Sequence, residues 1–566
     1  FHWISQPGSP REGRHFLLCQ PSTSAYTTTL QLLIYLLEND LKTIVFTKAR
    51  RITELLYKWL KQQAPALASR VANYRSGFLA EERREIEQAL FEGRLDGVIS
   101  TSALEMGIDV GGLDACILVG YPGSVMATWQ RSGRVGRSDR ESITALVALP
   151  DALDQYFLGR PQELVGRPLE HLIVDPSNEP VAGGHLVCAA SERPLRRGED
   201  GAYLGEHAAT VGDLLRSGDL VESADGAEIY SPAKRPHRTV HLRGGGESYT
   251  ILDADRDRVI GTVDGIRVLH ECHLGAIYLH AGRQYLVREL DFEGKKVHAE
   301  HARVEYFTTP LTEKRTEILE ILDERQAGPL SAWLGRLRVT ERVVGFERKR
   351  IQGQDVLDRH ELDLPPVSYE TVGMWWAAPP AIEDTIRGRG EHFMGSLHAA
   401  EHAAISLMPL VALCDRGDIG GISIPLHSQV RSGAVFIYDG HPGGVGIAAR
   451  GFNKLEDLLG RVVELLERCD CEDGCPSCVV SPKCGNGNRP LDKPGAAHFL
   501  RLLLGREEAV DSAVETPRPE WSEPDWEPPE AEERGGSRRV WSDVVDTAAA
   551  EASAPGVVAP DPVAAD

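Results

Sequence analysis

Ser100-Thr-Ser-Ala-Leu-Glu-Met-Gly-Ile-Asp109, followed at residues 130–137 by Gln-Arg-Ser-Gly-Arg-Val-Gly-Arg, is the pair of segments that decides the fold. The first follows a short apolar run, Gly97-Val-Ile-Ser100, and the second packs three arginines and two glycines into one octapeptide. Planar guanidiniums three residues apart at a strand end suit a triphosphate: they bind phosphate oxygens in pairs and neutralise charge in the transition state. Glycines let the backbone come close. The bland alternative is an arginine-rich surface helix.

Outward from this pair, helical and strand patterns alternate over residues 30–165. Leu30 to Leu37 and Ile52 to Gln63 read as helices, the second stopping short of Pro65, and Ala80 to Glu92 is a charged amphipathic helix. Lys42-Thr-Ile-Val-Phe-Thr47, Gly97-Val-Ile-Ser100, Ala115-Cys-Ile-Leu-Val119 and Ile143 to Leu149 read as short buried strands. Such alternation predicts an α/β fold with a parallel sheet covered on both faces. From Ser177 to Arg243 helices precede two short strands around Asp225-Gly226, the pattern of a winged helix. Residues 248–308 are strand-rich with close turns, suggesting a small sheet or barrel; from Pro379 to Leu503 helices, Gly-rich strands and cysteines follow.

The pair resembles motifs V and VI of superfamily-2 helicases, and Lys42-Thr-Ile-Val-Phe-Thr-Lys-Ala-Arg-Arg51 resembles motif IV. The resemblance implies a second RecA-like lobe over residues 1–165. It makes Arg134 and Arg137 arginine fingers and places Gln130 and Arg131 beside the nucleotide. Asp109 would contact the ribose or couple to the arginines, Thr101 would touch a nucleic-acid phosphate, and Gly107 would keep the loop tight. No G-x-x-x-x-G-K-[ST] sequence occurs. The nearest approach to a DExx motif, Ile321-Leu-Asp-Glu-Arg325, reads as a solvated helix end from the spacing of Leu311, Arg315, Ile318, Leu319 and Leu322. The first lobe is therefore expected to be missing and the chain as given inactive towards ATP.

Cys469-Asp-Cys471-Glu-Asp-Gly-Cys475-Pro-Ser-Cys478-Val-Val-Ser-Pro-Lys-Cys484 offers five thiols for the four positions of a tetrahedral site. Cys471, Cys475, Cys478 and Cys484 are the expected ligands, with Cys469 in reserve. A short polar loop favours structural Zn2+; an iron–sulfur cluster or disulfides are the alternatives. The other five cysteines are scattered, which reads as reduced and cytoplasmic. With Leu274 to Val287, His398 to Ile405, Cys414 to Gly421 and Val435 to Gly446, the cysteines are similar to the zinc-binding domain of MrfA/SftH-type helicases, over about residues 248–500. That resemblance implies an ATP- and Mg2+-dependent, DNA-stimulated 3′-to-5′ helicase or translocase of genome repair, acting on single-stranded DNA. The expected units are a lobe (1–165), a winged-helix-like domain (166–247), a mixed α/β zinc-binding domain (248–505) and a disordered acidic tail (506–566).

Several features carry two readings. His398-Ala-Ala-Glu401-His402 fits a zinc-peptidase pattern, or two histidines packed in a core; two zincs per chain would favour the hydrolase and one on sulfur would oppose it. Asp439 to Gly446 is a phosphate-binding nest or a tight strand-to-helix turn. Trp375 and Trp376 stack on bases or fill a core. Arg348 to Arg350 and Lys234 to Arg238 follow a DNA backbone or are merely solvated. A stand-alone DNA-binding or scaffold protein is the rival to a motor.

At 566 residues the chain suits three or four domains, and no apolar run is long enough for a membrane span. The start Phe-His-Trp-Ile carries no initiator Met and no leader pattern, and reads as a piece of a longer chain. Of the formal net charge of −22, half lies after residue 505, where 16 acidic residues face 5 basic ones; residues 1–160 hold 18 basic and 17 acidic, leaving room for local basic patches.

Overall fold

The structure, a computed structural model, describes residues 13–75, 77–105, 112–136, 141–240, 248–265, 267–351, 355–482 and 484–509. Gly107, Asp109, Arg137 and the acidic tail from residue 510 lie outside the described residues.

The first unit is the expected lobe. Six parallel strands run in the order Arg14–Cys19, Ser142–Val147, Ala115–Val119, Thr43–Phe46, Gly97–Ser100, Val71–Tyr74. The central strands Ala115–Val119, Thr43–Phe46 and Gly97–Ser100 are buried along their whole length, which is why they read as unbroken apolar runs. Helix Arg50–Gln63 buries Leu55, Leu56 and Leu60 and ends before Pro65, which opens the next helix, Pro65–Ala68. Lys48, in the motif IV-like stretch, donates to the buried carboxylate of Asp154 at 2.9 Å, which also accepts the backbone N–H groups of Tyr121 and Leu149.

The winged helix follows as expected. Helices Glu179–Glu192, Gly201–Glu206 and Ala208–Ser217 pack beside a three-stranded sheet of Leu195–Arg196, Glu228–Tyr230 and Val221–Glu222. Next comes a five-stranded mixed sheet, ordered Arg258–Asp264, Ser248–Asp253, Lys296–Ala302, Arg283–Asp291, Ile277–His280. It meets the lobe at a buried ion pair. Arg75 Nε lies 2.9 Å from Glu54 Oε1, and the same guanidinium reaches Tyr278 Oη and Leu279 O. Glu54 also accepts Asn73 Nδ2 and the N–H of Gly282, both at 2.7 Å.

The largest sheet corrects one expectation. Tyr306–Ala327 is a strand of 22 residues, so Asp323 and Glu324 lie on a strand and not at a helix end. It pairs with Leu330–Arg350 as the edge of a sheet continuing through Val367–Ala378, Gly433–Asp439 and Ile419–Ile424. Helices Phe393–Leu407, Leu455–Arg468 and Lys493–Leu503 pack together beside this sheet. One apolar cluster runs from Ile44, Phe46 and Leu118 of the lobe to Met374, Leu397, Leu459 and Phe499. Helix Ala152–Leu158 of the lobe lies against Phe393–Leu407, and Arg160 pairs with Glu464 at 3.1 Å across the junction. No helix among the described residues is long and apolar enough to cross a membrane.

Candidate functional site

At the C-terminal end of strand Gly97–Ser100, Thr101 caps the short turn Ser102–Leu104 and is half-buried. Helix Val125–Ser132 starts at Ser124, whose hydroxyl accepts the N–H of Ala127 at 3.0 Å, and its last turn carries Gln130 and Arg131. Arg131 is 6% exposed and its Nε donates to Glu105 Oε2 at 2.8 Å. Glu105 belongs to the first quoted segment and Arg131 to the second, so a buried ion pair clamps the two together. The guanidinium also lies over the Phe46 ring, 5.5 Å from its centroid. Arg134 is half-buried in the turn beyond, next to the wholly buried Val135. The Glu105–Arg131 pair thus joins the segment that carries Thr101 to the one that carries Gln130 and Arg131, whereas the turn after Arg134 lies at the opposite end of the sheet, where Gly136 N–H donates to Leu113 O and Val135 O accepts from Arg14. Sequence reasoning missed Glu105, although an acid inside a motif that meets an arginine-rich one was the available signal.

The cysteines require a correction. Cys469, Cys471, Cys475 and Cys478 converge, whereas Cys484 stands in a different cluster. Sulfur–sulfur distances are 3.5 Å for Cys469–Cys471, Cys469–Cys475 and Cys471–Cys478, and 3.7 Å for Cys475–Cys478. A tetrahedral ion with Zn–S bonds of about 2.3 Å sets its sulfurs about 3.8 Å apart, and a disulfide would need about 2.05 Å. An iron–sulfur cluster spreads its thiolates over separate irons, whereas these four surround one point. The donor set therefore fits a single Zn2+. Cys469 belongs because it is the C-cap of helix Leu455–Arg468 and leads directly into the Cys471–Cys478 turn, the knuckle of the site. Cys484 is carried away by a turn in which Asn488 bonds both the N–H and the carbonyl of Ser481, at 2.7 and 2.9 Å. The apolar surroundings that the loop itself lacks come from elsewhere: Cys478 and Val479 sit in the main core. The Lys493 ammonium, from the last helix, donates to the carbonyls of Cys469 and Cys471.

The ambiguous features resolve. Trp375 and Trp376 are wholly buried, Trp375 stacking with Trp333 and Phe436 at 6.2 and 5.6 Å, so both are core. The Asp439 turn is filled by its own carboxylate, which accepts the N–H groups of Val445, Gly446 and Ala448 at 2.6, 2.9 and 2.7 Å, leaving no nest for a phosphate. Arg348 is buried against Asp358. Lys234 and Arg235 remain exposed. His398 and His402 lie beside Cys484. All ten cysteines are unbridged.

A RecA-like lobe with an arginine-bearing turn at its strand ends, followed by a winged helix and a four-cysteine domain, defines a superfamily-2 helicase architecture. Residues 26–139 match the family described as helicase conserved C-terminal domain, 174–245 the winged helix domain of ATP-dependent helicase HRQ1, and 400–479 the MrfA Zn-binding domain. Taken together, these matches support an MrfA-type superfamily-2 helicase. It is similar to the ATP-dependent helicase YprA of Bacillus subtilis, 30% identical over 84% of this chain and 65% of YprA. It is also similar to the ATP-dependent helicase HRQ1 of Saccharomyces cerevisiae, 28% identical over 92% of this chain and 51% of HRQ1. The crystal structure of the DUF1998 helicase MrfA bound to DNA superposes with a TM-score of 0.61 at 28% identity, over 87% of this chain and 66% of that one. The chain thus spans less than two thirds of YprA and about half of HRQ1.

Proposed function

We propose that this chain is the second motor lobe and DNA-gripping portion of an ATP-dependent 3′-to-5′ DNA helicase or translocase acting in genome repair in the cytoplasm. The observation that carries this reading is the Glu105–Arg131 clamp, which ties the arginine segment to the segment that carries Thr101. ATP with Mg2+ would lie between this lobe and a P-loop lobe. Arg134 and Arg137 would meet the γ-phosphate, Gln130 and Asp109 would line the nucleotide, and Gly107 would keep the loop between the segments tight. Arg131, already engaged by Glu105, would act as a positioning residue. Thr101 would hold a phosphate of single-stranded DNA, with the winged helix and its exposed Lys234 and Arg235 gripping the backbone. Cys469, Cys471, Cys475 and Cys478 would hold one structural Zn2+.

Without a P-loop the chain itself should turn over no ATP; turnover abolished by Arg134→Ala would contradict this. In the complete protein Arg134→Ala should lower DNA-stimulated ATPase by ~10³–10⁵, as loss of an arginine finger does. DNA affinity should stay within a few-fold, since phosphate contacts are shared among many groups. Parallel loss of DNA binding would show that Arg134 faces nucleic acid.

A further inference from the structure

A cavity of about 420 Å³ is lined by helix Phe393–Leu407, strand Ile419–Ile424 and the turn around Cys484. His398 and His402 project into it from successive turns of the helix, their rings edge to face with centroids 4.3 Å apart. Each ring spends its Nδ1 on the main chain: His398 Nδ1 lies 2.8 Å from Pro490 O, and His402 Nδ1 lies 2.7 Å from Val479 O. A carbonyl can only accept, so Nδ1 carries the proton in both rings and Nε2 presents a lone pair. Such a hydrogen bond to the distal nitrogen is how metal-bound histidines are commonly held.

The third donor completes the arrangement. Cys484 Sγ is 3.4 Å from His398 Nε2, and one donor atom from each of the three residues lies within 4.8 Å of the others. An ion with Zn–N of about 2.0 Å and Zn–S of about 2.3 Å would set N and S about 3.5 Å apart. A plain thiol-to-imidazole hydrogen bond explains His398 and Cys484, but not the approach of a second imidazole whose Nδ1 is likewise held by a backbone carbonyl. The three donors are distinct from the four sulfurs of the knuckle.

We propose that His398 Nε2, His402 Nε2 and Cys484 Sγ bind a second divalent transition-metal ion, of the zinc class by its nitrogen and sulfur donors, with a fourth position open to water from the cavity. Glu401, hydrogen-bonded to Ser423 Oγ at 2.7 Å, lines the same cavity and stays off the ion.

The test is zinc content per chain, measured by elemental analysis on the protein after saturation with zinc and gel filtration. Two equivalents are expected, falling to one in Cys484→Ser and in His402→Gln. A single equivalent in the unmodified protein would overturn the proposal, as would a second equivalent surviving both substitutions. Cobalt uptake by the unmodified chain gives a readout independent of variant folding. Two phases are expected: one with the intense thiolate charge-transfer of a four-sulfur site, the other with the weaker charge-transfer of a single thiolate. Saturation at one equivalent with one spectrum would sink the idea. None of these readings depends on ATP turnover, so failure of the motor assignment would leave them unchanged.

Discussion

Single side chains decide the most here. Cys469→Ser should lose the knuckle zinc and leave residues 469–479 open to limited proteolysis, because it removes one of four converging thiolates and the metal's contribution to folding with it. Cys484→Ser should keep that ion, and elemental analysis together with the proteolytic pattern separates the two variants. The cysteine spacing revealed a site but not its membership: five thiols within sixteen residues carry no record of which turn folds back. Only the C-cap position of Cys469 and the Asn488 bonds to Ser481 settle that. The arginine segment was legible because its chemistry is dense and local, whereas its acidic partner Glu105 is joined to it only in space. His273 lies wholly inside the five-stranded sheet's core against Phe346, and burial pushes its pKa down to about 4. The unfolded chain takes up that proton near pH 6.5 and the folded one refuses it. Stability present above pH 6.5 should therefore fall as pH drops towards 4, by up to ~3 kcal/mol from this group. Melting curves between pH 7 and 4.5 should be flatter in His273→Gln; an unchanged slope would argue against a buried neutral ring.

At the level of elements, helices and buried strands of the lobe were readable because each obeys one period. Tyr306–Ala327 was not. Its pairing with Leu330–Arg350 slips at Leu311/Thr312, Ile318/Glu320 and Ile321/Asp323, and each slip shifts the alternation of faces, so Leu311, Arg315, Ile318 and Leu322 fall at helix-like intervals. As an edge strand it also carries charges along its length, which hides the apolar face and discourages pairing with another chain. The joint between the lobe and the five-stranded sheet rests on helix Arg50–Gln63 and strand Val71–Tyr74, whose neighbourhood supplies Glu54 and Arg75. Glu54→Gln removes the countercharge of a guanidinium that is 1% exposed, and should cost ~3–5 kcal/mol in denaturant unfolding. A loss below ~1 kcal/mol would mean that Tyr278 and the backbone carbonyl of Leu279 satisfy Arg75 on their own.

On the scale of the whole molecule, a boundary near residue 165 separates sequence patterns but not cores. Residues of the lobe and of the cysteine-bearing domain belong to one apolar cluster, bridged by helix Ala152–Leu158 and by Arg160–Glu464 and Arg461–Tyr156 contacts. Arg416 adds a further tie, standing 3.7 Å from Asp151 of the lobe and 2.8 Å from Ser481 of the cysteine-bearing domain. Calorimetry should accordingly show these two units melting in one transition, with the winged helix, which has its own small core, free to separate. Two resolved peaks for lobe and zinc domain would break that expectation. Sequence could not announce a shared core, because its two halves are separated by the whole stretch from Leu164 to Leu330 and each half reads as an ordinary buried face.

That continuity also governs how force would travel. A rotation of the lobe of a few degrees is hard to absorb by slippage where apolar side chains interlock, so it would be passed on to the Tyr306–Arg350 hairpin, whose turn is seated in the same cluster by Leu330 and Ala332. With some twenty residues in each arm at about 3.3 Å per residue, the hairpin spans about 70 Å, so a tilt at its buried turn would be felt at its open end, where Tyr306 and Phe346 pack with residues of the five-stranded sheet.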